Sequence, residues 1–266
     1  TNTVMSQFFT TKIAEFAGLH FITVKSNALH RRADITVFTP HIDPLPAELP
    51  LVILLHGVYG SHWDWAVKGQ AHATAQRLMD TGQIKPMILA MPSDGLYGDG
   101  SGYVPHREDN YEQWIVEDVP QVLREQFPVL NAQTPIFIAG LSMGGFGALR
   151  LGAKYPQTFK AFSGLSSITH FDQLSQFVSS FDTLKNDATE QDGVLDWLMK
   201  NRDHLPPFRF DCGSDDILID ANRQLHAALI AQKIPHTYEE FPGVHEWAYW
   251  ERNLEHTLRF FNQFID

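Results

Sequence analysis

With 266 residues the chain is long enough to bury a large core, and its 44% hydrophobic and 19% charged content excludes a disordered or fibrous protein. A formal net charge of -11, carried without long runs of one sign, excludes attraction to a nucleic-acid backbone or an anionic membrane surface and suits a neutral or cationic small molecule. Cys212 is the single cysteine, so neither an intramolecular disulfide nor a cysteine-based metal cluster can form.

Residues 1–15 lack the basic-then-apolar signature of a signal peptide, and no apolar run reaches the length of a membrane span. The expectation is a cytoplasmic protein, or a secreted or periplasmic one if a leader was removed ahead of Thr1. Residues 19–24 and 33–38 alternate apolar and polar side chains across a short link, which predicts an antiparallel pair at a sheet edge. Four prolines between Pro40 and Pro50 mark a surface connection. Residues 51–55 are then wholly apolar, as a central parallel strand buried on both faces should be. They run into His56-Gly57-Val58-Tyr59-Gly60, a glycine-bearing turn, and a helix is predicted over 69–79.

A second buried strand at 87–91 opens into the loop 92–103, whose glycines and two tyrosines predict a shaped functional loop in which Tyr97 and Tyr103 either pack the loop or line a substrate pocket. Helical spacing follows over 111–127. Pro120 within it calls for a new helical segment or a kink. Strands are predicted at 136–139, 159–165, 208–213 and 236–241, and helices at 220–233 and 249–265. Residues 166–206, more polar and weakly helical at 171–181 and 193–199, are expected to form a small lid-like excursion at the C-terminal edge of the sheet. Strands alternating with helices imply one α/β domain over 1–266, with a mainly parallel central sheet, an antiparallel N-terminal edge and helices on both faces.

Gly140-Leu141-Ser142-Met143-Gly144 directly follows the strand at 136–139 and precedes an apolar helical run, the strand-turn-helix context that G-x-S-x-G needs to act as a nucleophile elbow. Small neighbours at 140 and 144 leave room for a backbone tight enough to push the serine hydroxyl out of the sheet. A hydroxyl is a weak nucleophile at neutral pH, so Ser142 needs a base and the base an orienting acid, in the chain order serine, acid, histidine. His245, in the glycine-marked loop after the last strand, is the base. The acid lies in Cys212-Gly213-Ser214-Asp215-Asp216: one aspartate orients the imidazole and the other caps the next helix. Asp216 is favoured, and Asp211 and Asp220 read as strand-end and capping residues. Two backbone amides must face the developing oxyanion: that of Met143, next after the nucleophile, and one from the His56-Gly57 turn, Val58 first and Tyr59 second.

Taken together, Leu-Leu-His56-Gly57, Met91-Pro92-Ser93-Asp94-Gly95, Gly-Leu-Ser142-Met-Gly-Gly-Phe-Gly-Ala-Leu, Asp-Cys-Gly-Ser-Asp-Asp216 and Gly-Val-His245-Glu-Trp resemble the esterase D group of α/β-hydrolases over residues 15–265. That group holds tributyrin-type esterases, feruloyl and acetyl xylan esterases, S-formylglutathione hydrolases and mycolyltransferases. The resemblance implies an α/β-hydrolase fold and a serine carboxylesterase that cleaves small or short-acyl esters through an acyl-enzyme, acetyl or feruloyl esters of carbohydrates among them. It also implies Asp216 as the acid and Val58 as the second oxyanion donor. S-formylglutathione hydrolases usually carry a histidine between the glycines after the elbow and a cysteine in the oxyanion loop; here Phe146 and Val58-Tyr59 stand there. This departure favours the simple esterase branch over a thioesterase or an acyltransferase with the same triad. An inactive hydrolase-fold scaffold that binds carbohydrate or protein is the rival from another class.

Tyr59 and Trp247, beside the oxyanion turn and His245, complete the expected substrate pocket, with Trp63, Trp65 and Trp250 close in sequence. Glu117 and Asp118 are expected to hold structural bonds rather than to do acid-base work. His226, His236 and His256 lack metal-ligand spacing, so no metal and no cofactor is expected. A small-molecule ester is the expected partner, and homo-oligomerisation is left open.

Overall fold

A computed structural model describes residues 9–266. One nine-stranded sheet organises them, made of β1 (Phe9–Phe16), β2 (Leu19–Lys25), β3 (Arg32–Phe38), β4 (Leu51–Leu55), β5 (Ile88–Pro92), β6 (Ile136–Leu141), β7 (Ala161–Leu165), β8 (Phe208–Gly213) and β9 (Thr237–Phe241), in the order β1-β2-β3-β5-β4-β6-β7-β8-β9. β1, β2, β3 and β5 pair antiparallel, and every pairing from β5 through β4 to β9 is parallel. The α/β-hydrolase architecture expected from the sequence is thus present. The antiparallel edge is three strands deep, because β1, a strand with no clean alternation in the sequence, flanks the predicted pair.

Both faces of β4, β5 and β6 are covered, which is why those strands are apolar without alternation. Along β4, Leu51, Ile53 and Leu55 face one core while Val52 and Leu54 face the other. The first core is closed by α4 (Val119–Gln126), α5 (Met143–Lys154), α7 (Val194–Lys200) and α8 (Ile219–Ala231). The second is closed by α1 (Asp64–Val67), α2 (Ala71–Asp80) and α9 (Trp247–Asn262). Two shorter helices, α3 (Tyr111–Gln113) and α6 (Phe181–Asp187), lie in the connecting segments.

Pro120 has a definite consequence. Between α3 and α4 the chain takes one π turn over Trp114–Asp118, in which the Val119 N–H donates to the Trp114 carbonyl, and Pro120 then sits in the first turn of α4, where no N–H is needed. The excursion over 166–206 consists of a 3₁₀ turn at Phe171–Gln176, then α6 and α7, so the first of the two weak helical patterns resolves into two separate pieces. Glu117 lies at the surface bonded by the Gln113 amide, and buried Asp118 accepts from Ser26 Oγ at 2.5 Å and Ala28 N at 3.0 Å.

Behind the elbow, α5 carries a buried guanidinium that the sequence did not single out. Arg150 Nη1 donates to Glu112 Oε2 at 2.6 Å and Nη2 to Glu190, while Lys154 Nζ lies 2.7 Å from a carboxylate oxygen of each glutamate. Burial pushes the Glu112 carboxyl up, but the Arg150 charge and the bonds from Lys154 and Tyr155 outweigh it, and the net shift is downward. A carboxyl depressed in the folded state stabilises at neutral pH, and that contribution is lost as the pH falls through the carboxylate range. Arg150→Met leaves Glu112 Oε2 buried without a donor and is expected to cost about 3 kcal/mol in chemical denaturation. An unchanged denaturation midpoint would show that Lys154 and Tyr155 suffice.

Candidate active site

The chemistry-bearing residues come together at the C-terminal edge of the parallel strands. β6 ends at Leu141 and α5 starts at Met143, so Ser142 alone makes the turn, at φ 53° and ψ -115°. That conformation costs a non-glycine residue of the order of 1–3 kcal/mol and is kept by what surrounds it. The Ser142 amide donates to the Leu165 carbonyl at 3.0 Å, and its own carbonyl accepts from Ile168 and Phe146. Gly140 and Gly144 are required by space: a Cβ on either would fall 2.2 Å from a backbone oxygen, that of Gly144 or of Leu55.

The loops after β8 and β9 supply the partners. The Ser142 hydroxyl donates to His245 Nε2 at 2.9 Å, and His245 Nδ1–H faces both oxygens of Asp216 at 3.0 and 2.9 Å. Asp216 is buried and half of its carboxylate also accepts the Leu218 amide at 2.8 Å, which fixes its orientation. The expected division of labour between neighbours does not occur. Asp216 both orients the imidazole and closes the turn before α8, whereas Asp215 is exposed and bonded to the Ser214 hydroxyl. Asp211 lies beneath the site against Arg209 and the Tyr249 hydroxyl, and Asp220 stands in the first turn of α8.

The two amides expected to face an oxyanion belong to Met143 and Val58. Met143 opens α5, so its N–H has no acceptor within the helix and carries the positive end of the helix dipole. Among the described residues the Val58 amide donates to no carbonyl, while the Tyr59 amide donates to Asp99 O at 2.8 Å, which removes Tyr59 as an alternative donor. A buried polar clamp holds this turn. His56 Nε2 accepts the Asp94 amide at 2.9 Å, so its Nδ1 carries the proton and donates to Gly57 O at 2.7 Å. The Asp94 carboxylate in turn accepts the amides of Leu96 and Ser101, and the Tyr103 hydroxyl donates to His56 O at 3.0 Å.

The tyrosine and tryptophan assignments divide. Tyr103 is fully buried and its hydroxyl is spent on His56 O, so it props the His56-Gly57 turn and does not line an open pocket. Its burial follows from Gly147, which leaves room for the ring to pack against α5. Tyr97 packs edge-on against His106 and Tyr111 and donates to Asp187, and burial together with that carboxylate pushes its hydroxyl up to about 12. Tyr97 thus ties the glycine-rich loop to α6. Trp247 stands edge-on to Trp65 and Trp250, with ring centroids 5.5 and 5.3 Å apart. Tyr59, 69% exposed, donates through its hydroxyl to the Phe177 carbonyl.

Sequence reasoning missed Phe177, Asp99 and Ser179, all from the connecting segments. Phe177 stacks on His245 with centroids 5.5 Å apart, and Trp250 meets the same imidazole edge-on at 5.0 Å. Asp99 Oδ2 accepts both the amide and the hydroxyl of Ser179 at 2.8 Å, which holds the Asp99 carboxyl below the usual range. No spacing pattern announces contacts between residues 68 to 80 positions apart in different loops. Away from the site, His226 Nδ1 lies 2.8 Å from His236 Nε2, and His256 stacks on Phe241. Among the described residues no group of three His, Cys, Asp or Glu side chains could hold a metal ion, and no helix is long and apolar enough to cross a membrane.

Known proteins share this architecture. An acetyl esterase of Caldicellulosiruptor saccharolyticus is 25% identical over 237 residues, covering 82% of this chain and 85% of the relative. A ferulic acid esterase superposes with a TM-score of 0.80 at 24% identity over 96% of this chain and 99% of its own. An S-formylglutathione hydrolase of Staphylococcus aureus gives 0.76 at 19% identity over 94% and 99%. The family model described as "Putative esterase" matches residues 26–261. Because that match takes in every strand from β3 to β9 together with the elbow, the chain belongs to this esterase family.

Proposed function

We propose that this carboxylic ester hydrolase works as a serine esterase on small, short-acyl esters, with Ser142, His245 and Asp216 as its triad and the whole chain as one domain. The observation that carries the reading is the unbroken relay from the Ser142 hydroxyl to His245 Nε2 at 2.9 Å and from His245 Nδ1 to Asp216. Ser142 Oγ attacks the ester carbonyl as His245 takes its proton, and the amides of Val58 and Met143 receive the charge that develops on oxygen. His245 then passes the proton to the departing alcohol, and a water that it activates cleaves the acyl-enzyme.

Two features favour a small acyl group. Ser142 is only 2% exposed, and Phe177, which stacks on His245, is bonded through its carbonyl to Tyr59. The acetyl esterase among the relatives acts, by its name, on the same class of ester. A panel of p-nitrophenyl acetate, p-nitrophenyl octanoate, methyl ferulate and an acetylated xylo-oligosaccharide, with a fluorophosphonate probe in parallel, tests the reading. The probe is expected to label Ser142, and kcat/KM to be highest for the acetyl esters by about tenfold or more. A folded protein that does not label would be a binding scaffold. A strong preference for octanoate would replace the substrate class while keeping the triad.

A further inference from the structure

The segment that closes over the site contributes one aromatic face to the imidazole. Phe177 follows the 3₁₀ turn Phe171–Gln176, where its amide and that of Val178 both donate to Leu174 O at 2.9 and 3.0 Å. Leu174 and Val178 are buried, so the strap is rooted in the core on either side of Phe177. Its outer side is tied down twice: Tyr59 donates to the Phe177 carbonyl, and Ser179 donates through amide and hydroxyl to Asp99. Both anchors belong to loops that frame the oxyanion turn, since the Tyr59 amide itself bonds Asp99 O at 2.8 Å. With the strap held, the Phe177 ring lies over His245 at an interplanar angle of 30°, and Trp250 meets that imidazole at 90°.

We infer that Phe177 is a positioning residue for the esterase reaction, holding the His245 ring between Ser142 and Asp216, and that Tyr59, Asp99 and Ser179 act as the anchors that keep it there. Two physical effects combine. His245 is partly exposed and sits in a loop whose neighbours Val244 and Glu246 face solvent, so beyond the hydrogen bonds of its two nitrogens the ring is held by Phe177 on its face and Trp250 at 5.0 Å. A tilted imidazole loses the line between the serine proton and Nε2, and small misplacements of catalytic groups carry large rate penalties. The imidazolium formed when Ser142 transfers its proton is also attracted to the face of an aromatic ring, an interaction absent for the neutral imidazole. Phe177 thus acts on the step in which His245 becomes charged, without bonding to any reacting atom.

This inference rests on the esterase reading and is tested so that the two can fail separately. Phe177→Leu, similar in bulk without the ring, is expected to lower kcat for p-nitrophenyl acetate about tenfold with KM changed less than about twofold. Phe177→Tyr, which keeps the ring, should stay within about twofold of wild type. The downfield proton resonance between His245 Nδ1 and Asp216, read by NMR without any substrate, should broaden in Phe177→Leu and persist in Phe177→Tyr. A Phe177→Leu enzyme with wild-type kcat and a sharp resonance overturns the inference, as does a Phe177→Tyr enzyme damaged equally. If Phe177→Leu does not fold by circular dichroism, Tyr59→Phe and Ser179→Ala carry the test. Each should lower kcat about threefold, and unchanged kcat with an unchanged resonance in both overturns it. Should wild type hydrolyse no ester at all, the esterase reading fails, and the resonance still decides the role of Phe177.

Discussion

Ser142→Ala is expected to lower kcat for a small aryl ester by roughly 10³-fold or more, with KM changed little. The hydroxyl is the group that forms the acyl-enzyme, and the side chain is buried with its single hydrogen bond directed at His245 Nε2, so no structural bond elsewhere depends on it. The elbow itself should survive. Its shape is set by the backbone bonds to Leu165, Ile168 and Phe146 and by the glycines at 140 and 144, none of which involves the hydroxyl. Residual turnover above the uncatalysed rate is expected, because the amides of Val58 and Met143 remain in place to receive negative charge on a substrate oxygen. Titration of active sites with a fluorophosphonate on the same preparations separates a slow enzyme from a contaminant. Wild-type turnover in an unlabelled Ser142→Ala protein would remove Ser142 from the mechanism.

How much of this site could be read from the sequence depended on how local each feature is. The elbow, the acid turn and the histidine loop each sit within a few residues of a strand end and carry glycines that the geometry demands, so strand, turn and residue type stand side by side in the chain. The parallel strands were legible for a related reason: burial on both faces removes polar residues from β4 and β6 altogether. β1 escaped because an outer strand paired on one side needs no apolar run. The clamp of His56, Asp94 and Tyr103 joins residues 38 and 47 positions apart, and the ring of Phe177 reaches His245 from a segment that looks merely polar. Tyr103 is instructive: its place in a glycine-rich loop left packing and pocket lining both open, and the ring turns inward beside Gly147.

The acid turn yields the sharpest contrast available in this protein, because two adjacent aspartates of equal charge differ in everything that matters to the imidazole. Asp216→Asn is expected to lower kcat by roughly 10³ to 10⁴-fold. The amide can present an N–H where His245 Nδ1 now finds a carboxylate, which favours the tautomer with the proton on Nε2 and removes the acceptor that Ser142 needs. It also withdraws the negative charge that stabilises the imidazolium. Asp216 Oδ1 further accepts the Leu218 amide at 2.8 Å, a bond that the asparagine carbonyl oxygen can keep, so the turn into α8 should persist and the thermal midpoint should move little. Asp215→Asn, by contrast, changes an exposed side chain bonded only to the Ser214 hydroxyl, and its kcat/KM should stay within about twofold of wild type. Measuring both substitutions on one ester under one buffer removes differences of expression and net charge, since each deletes a single negative charge from the same turn. Equal losses in the two variants would mean that the turn as a whole matters and that Asp216 holds no special place. A large loss confined to Asp215→Asn would transfer the orienting role to its neighbour.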